Sequence, residues 1–152
     1  MIKQKITPFL WFDNNAEEAA NFYTSIFKNS KINNITRSNG AVLVVSFELE
    51  GLQFTGLNGG PAQKFTEAVS FVVNCETQEE VDHYWDALLK DGGVPSVCSW
   101  LKDKYGLSWQ IVPEILMRYL ADKDPAKAGR VMQAMMGMSK IIIADLQKAY
   151  DG

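Results

Sequence analysis

The chain has 152 residues, 47% of them hydrophobic and 22% charged, with a net charge of −3 and a pI near 5.2. That length fits one domain, or two small halves sharing a core, and the acidic balance excludes nucleic acid as the main partner, since phosphate binding needs a basic face. No apolar run approaches the roughly 20 residues of a membrane span, the first residues lack the apolar core of a signal peptide, and Cys75 and Cys98 form no disulfide framework, so a cytoplasmic protein is expected.

In chain order, Ile6–Phe12 reads as a strand, with Pro8 near its start. Asn15 and Glu18 have capping-box spacing, and Ala16, Ala19, Ala20, Tyr23, Ile26 and Phe27 then recur on one helical stripe. A short polar strand follows over Ile32–Arg37, broken by Asn39-Gly40, and Val42–Leu49 and Leu52–Leu57 form a hairpin about Glu50-Gly51. Asn58-Gly-Gly-Pro61 ends it.

The order then starts again. Ala68–Val73 is a strand, Thr77 and Glu80 are a second capping box, and Val81, Tyr84, Trp85, Leu88 and Leu89 form a second stripe. A shift of 62 residues superposes strand and helix of the two halves without gaps. Asp91-Gly-Gly93 ends the second helix, and Val97–Val112 answers the first hairpin with a shortened first strand. Within it Leu107, Trp109 and Ile111 face one way, and Ser108, Gln110 and Val112 the other. A strand of that kind packs a helix on one side and lines a pocket on the other. The fold class is therefore α+β, a tandem βαβββ repeat over 6–58 and 68–113, in one domain of residues 1–152. A C-terminal extension over 114–152 carries helices at 126–136, after the cap and proline of Asp124-Pro125, and at 139–150. Met132, Met135, Met136 and Met138 read as helix packing or as an adaptable surface.

Phe12–Tyr23, Asn58–Pro61, Phe71–Asp82 and Trp100–Pro113 together resemble the PhnB-like branch of the vicinal oxygen chelate superfamily, which includes glyoxalase I, bleomycin- and fosfomycin-resistance proteins and extradiol dioxygenases. The branch is often labelled 3-demethylubiquinone-9 3-methyltransferase. The resemblance runs from about Ile6 to Tyr150 and implies paired modules whose antiparallel sheet curves around a cavity, usually in a homodimer. It also implies where catalytic relatives hold a divalent metal: in Ile6–Pro8, at Thr55, at Ala68 and at Gln110. Those positions offer little to a metal that needs about three imidazole or carboxylate ligands, so no metal and no cofactor are expected.

Further candidates come from the residues themselves. Trp11, Phe54, Phe65, Trp100 and Trp109 are more large aromatics than one helix-facing layer needs, so some should line a pocket and stack on a ligand. Cys98, on the alternation of Trp100 and Lys102, reads as a buried small hydrophobe or as a thiol assisted by Lys102. Glu48 is a general base if it points inward and an edge charge if it does not. Asn58 with Gly59-Gly60 reads as a loop exit or as a nest of N–H groups for an anion. Lys102-Asp103-Lys104 reads as a solvated charged turn. The lone His83, off the apolar stripe of its helix, reads as a surface residue.

The expectation is a small-molecule-binding protein without nucleic-acid or membrane partners. The alternative is a metal-dependent isomerase, lyase or dioxygenase-type enzyme of the same superfamily. A methyltransferase is implied by the family label alone, because Gly59-Gly60 leads into Pro61 and not into the helix of a nucleotide cradle.

Overall fold

The computed structural model describes all 152 residues, in two compact units, Met1–Phe65 and Thr66–Gly152. In the first unit the elements are β1 (Phe9–Phe12), α1 (Ala16–Ile26), β2 (Lys31–Ser38), β3 (Ala41–Leu49) and β4 (Leu52–Asn58). The sheet runs β1-β4-β3-β2. Both hairpins close through pairs with positive φ, Asn39-Gly40 and Glu50-Gly51, the backbone of the type I′ turn whose twist matches that of the strands. The pairing is antiparallel across the hairpins, as expected. β1 differs: it adds parallel to β4, with Phe9 beside Thr55 and Leu10 beside Gly56, because the chain returns to that edge only after α1 and both hairpins.

The alanines of α1 let the helix lie close to the sheet. Ala16, Ala19, Ala20, Tyr23 and Ile26 are buried with Leu10, Phe12, Val45, Phe47, Leu49 and Phe54, and Phe47 stacks on Phe54 at 5.4 Å. The cap of α1 is not the expected one. Asn15 makes no side-chain cap, whereas Asn58, at the far end of β4, accepts from Ala16 N at 2.8 Å and donates to Val42 O at 3.1 Å.

The second unit repeats the pattern with β5 (Ser70–Cys75), α2 (Gln78–Leu89), β6 (Val94–Pro95), β7 (Trp100–Lys102) and β8 (Ser108–Pro113), in the order β5-β8-β7-β6. β5 again lies parallel to β8, with Phe71 beside Trp109 and Val72 beside Gln110. Thr77 caps α2 as expected, accepting from Glu80 N, while the Glu80 carboxylate reaches back to Glu76 N. The helices repeat at the 62-residue shift, with Ala19, Tyr23 and Ile26 answered by Val81, Trp85 and Leu88, all buried. The strands do not. The helix-facing Leu10 and Phe12 are answered by Val73 and Cys75, one residue further on, because the second module has one residue fewer between strand and helix.

The tip between β7 and β8 corrects the reading of a solvated charged turn. Asp103 is only 3% exposed. Its Oδ1 accepts from Tyr105 N at 2.9 Å and Leu107 N at 3.1 Å, and its Oδ2 accepts from Trp109 Nε1 at 2.9 Å. A buried carboxylate satisfied by three N–H donors fixes the turn and orients the indole.

The extension begins directly after β8 with α3 (Glu114–Leu120), a helix the sequence pattern did not reveal, and continues with α4 (Pro125–Met136) and α5 (Ile143–Asp151). Leu116, Tyr119, Val131, Ile141 and Leu146 form its core around Val112 of β8. α5 starts four residues later than the pattern suggested, because the preceding backbone is engaged elsewhere. Cys98 N and Ser99 N donate to Met138 O and Ser139 O at 2.8 and 3.0 Å, and Gln78 donates to Ile141 O and accepts from Ile143 N. Met135 and Met138 pack on this core, whereas Met132 and Met136 are exposed.

Candidate functional site

Each sheet has one face covered by its module's helix and one turned away from it. In the second unit the face away from α2 carries two adjacent rows. The first row is Ser70 of β5, Ser108 of β8 and Lys102 of β7, and the second is Val72, Gln110 and Trp100. Gln110 Nε2 donates to Ser70 Oγ at 2.8 Å, tying the rows together. Lys102 Nζ lies 2.7 Å from Glu67 Oε1, and that hydrogen bond is the main reason the exposed Glu67 carboxyl sits below its ordinary pKa. Ser108 is fully buried and its hydroxyl has no partner. Three expected site residues, Trp100, Lys102 and Gln110, are thus brought together. Ser108 reads with Gln110 on the pocket side of β8, whereas Ser70, on the neighbouring β5, is not singled out from sequence.

In the first unit, Trp11 and Glu48 lie on the face away from α1. Trp11 Nε1 donates to Gly60 O at 2.9 Å, and a side chain at Gly59 would meet the indole at 2.4 Å, so the ring is packed flat under the loop. Glu48 accepts from Gln53 Nε2 and lies 3.4 Å from Lys31 Nζ. Already held by two partners, it is placed as a structural acceptor.

The other candidates fall elsewhere. Phe54 and Trp109 belong to the helix-facing cores, Trp109 with its ring 5.7 Å from Phe71. Phe65 packs edge-on against the buried Phe12 at 5.4 Å. Asn58 is spent on capping α1. Gly59 N and Gly60 N donate to Phe12 O and Asp13 O, so the loop offers no open nest. Cys98 is not in a strand: with Ser99 it forms a turn with φ of 55° and 80°, which takes it off the alternation of Trp100 and Lys102. Cys75 is buried, and desolvation above all, then the charge of Glu80, pushes its thiol up to about 12. His83 is exposed, with its ring against Tyr84.

The donor set does not fit a resident divalent metal. The expected position Ala68 precedes β5, and the first-strand residue that meets Gln110 is Ser70. In the second unit Ser70 and Gln110 supply a hydroxyl and an amide and the Glu67 carboxylate is held by an ammonium; in the first, Thr55 offers only a hydroxyl; and nowhere do three His, Cys, Asp or Glu side chains converge.

Two βαβββ units, each with a four-stranded sheet and a helix packed on one face, define the class as the glyoxalase/bleomycin-resistance fold. A solved structure with that architecture is the fosfomycin resistance protein FosX of Listeria monocytogenes, crystallised with Mn(II) and sulfate. It is 18% identical at a TM-score of 0.55, covering 78% of this chain and 99% of its own. A glyoxylase/bleomycin resistance protein/dioxygenase domain from Frankia is 14% identical at a TM-score of 0.51, over 74% and 93%. The family model described as 3-demethylubiquinone-9 3-methyltransferase matches residues 4–112. The PhnB protein of Bacillus cereus, which bears the same family description, is 40% identical at a TM-score of 0.67, over 72% of this chain and 99% of its own. The chain belongs to this PhnB-like family. None of the curated proteins compared with it matches. The family match stops one residue short of the end of β8, so α3, α4 and α5 lie beyond it. No helix is long and apolar enough to cross a membrane.

Proposed function

We propose that this protein binds a small molecule against the face of its second sheet turned away from α2, at the rows of Ser108 and Gln110, without a resident metal. The observation that carries the reading is the pair of rows itself: an indole, an amide and a lysine in register around a buried hydroxyl that nothing in the protein satisfies. Trp100 supplies a stacking surface, and Gln110 and Ser70 supply oriented hydrogen-bonding groups, the mixture typical of ligand sites. A homodimer is part of the proposal. Phe9 and Val72, on the edge strands β1 and β5, are 60% and 48% exposed, and pairing of two copies would cover them.

A metal-dependent isomerase, lyase or dioxygenase-type activity is the alternative that the Mn(II) of FosX brings to mind, and the donor set speaks against it. Methyl transfer is supported only by the family's name, since the Gly59 and Gly60 N–H groups are already engaged. Elemental analysis of protein purified without chelator or metal resin decides first. About one equivalent of a transition metal per subunit would refute the metal-free reading. With none bound, ligand screening by thermal shift should give saturable stabilisation that Trp100→Ala abolishes without lowering the melting temperature of the free protein, whereas S-adenosylmethionine should give none.

A further inference from the structure

We infer that the ligand of this face is anionic, and that Glu67 occupies Lys102 in its place until an oxyanion of the ligand displaces it. The inference rests on the reading that this face binds a small molecule. It starts from Ser108, whose hydroxyl is fully buried and unpartnered. Native proteins leave few such groups, because an unmade buried hydrogen bond costs on the order of the group's desolvation. In register, Ser108 is flanked by Ser70 on one side and Lys102 on the other. Ser70 Oγ accepts from Gln110 and keeps its own proton to donate. The row therefore presents a hydroxyl, a second hydroxyl and an ammonium, all donors.

Donors of that kind suit an oxyanion, a carboxylate or a phosphate, more than a neutral or cationic group. Glu67 supplies that oxyanion from within the chain. Its Oε1 lies 2.7 Å from Lys102 Nζ, yet its side chain is 66% exposed, so the pair is held in water and is readily exchanged. Glu67 engages the lysine and its own backbone N–H, and Ser108 stays unmet. A ligand carboxylate or phosphate has further oxygens for the hydroxyls once Lys102, itself 40% exposed, has let Glu67 go. In this arrangement Glu67 is a competitor that sets a threshold for binding, and Trp100, in the next row, lies beside any aromatic body the anion carries.

The test is titration of the full chain with benzoate, phenyl phosphate and the neutral benzamide, followed by amide and tryptophan side-chain chemical shifts. Glu67→Gln should bind an anion about 3- to 10-fold more tightly than wild type. Lys102→Met should lose at least ~10-fold. Ser108→Ala should melt no lower than wild type yet bind several-fold more weakly. Benzamide should respond to none of the three. The ratio of benzoate to phenyl phosphate affinity separates a carboxylate ligand from a phosphate. Benzamide binding as well as benzoate, with loss on Trp100→Ala, would overturn the anionic inference and leave small-molecule binding standing. No probe shifting the Trp100, Lys102 or Gln110 signals would overturn both.

Discussion

Replacing Asp103 by alanine should be among the most damaging single changes to the second module. The carboxylate takes three N–H groups, from Tyr105, Leu107 and Trp109, and sits at 3% exposure beside Leu107 and Trp109, each also 3% exposed. Removing it takes this acceptor away from three donors, two of them on buried residues. At about 1–1.5 kcal/mol for each unmet group the cost is roughly 3–5 kcal/mol, a large share of a total near 5–15. For a chain of this length that corresponds to a melting temperature lower by about 10–15 °C. Asp103→Asn keeps one oxygen for the backbone donors but turns an NH2 toward the indole N–H, and should cost about 2–3 kcal/mol. Trp109→Phe removes one bond while keeping a ring in the core, and should cost about 1–2 kcal/mol. Urea unfolding of the three variants should give the order Asp103→Ala, Asp103→Asn, Trp109→Phe, with an unchanged m-value. A hairpin-tip charge in water would shift stability by no more than about 0.5 kcal/mol. If Asp103→Ala unfolds within that margin of wild type, the buried-acceptor account is wrong.

Asn58→Ala should cost about 1–2 kcal/mol and speed hydrogen exchange in the first turn of α1, whereas Asn15→Ala should do neither. Gln78→Ala removes the donor to Ile141 O and the acceptor of Ile143 N, and should open the segment before α5 to proteolysis while residues 4–112 stay protected. Cys75 gives a pH signature. Its folded thiol titrates at about 12 and an unfolded one at about 9, so above pH 9 only the unfolded chain loses this proton. The stabilisation is whole below pH 9 and falls by about 1.4 kcal/mol per pH unit toward 12. Cys75→Ala should flatten that part of the alkaline stability profile, and a profile that matches wild type in slope would refute the assignment.

The repeat, its two helices and its hairpins were legible because they depend on local signals: apolar stripes on α1 and α2, Asn39-Gly40 and Glu50-Gly51 at turns, Thr77 with Glu80 at a cap. The side of β8 was legible too, since alternation separates Trp109 from Ser108 and Gln110, and that alternation argues against placing Trp109 in a pocket. What could not be read were partners far apart in the chain. The amide of Asn58 caps a helix that starts 42 residues earlier, and Gln78 caps one that starts 65 residues later. Asp103 reads as a surface charge because nothing local announces an indole aimed back at it. A sequence cue existed there, for Asp103 and Gly106 have the spacing of a side-chain-closed turn. The one-residue phase difference between β1 and β5 escaped for another reason: the helices superpose so well at a single shift that the shorter link before α2 is hidden.

The turn at Cys98-Ser99 ties the length of the sheet to the tail of the chain. β6 is only two residues long; Ser96 N still donates to Trp100 O, but Cys98 N and Ser99 N are turned by two successive left-handed residues toward Met138 O and Ser139 O, where the Ser139 hydroxyl also donates to Ser96 O. The tail therefore completes the backbone pairing of this edge and is more than a bundle hung from Pro113. Lengthening β6 and keeping the extension are competing uses of the same N–H groups. A protein of this family that ended at β8 would have to satisfy them in another way, most simply by a longer strand, so hairpin length and the presence of the three C-terminal helices should change together or not at all.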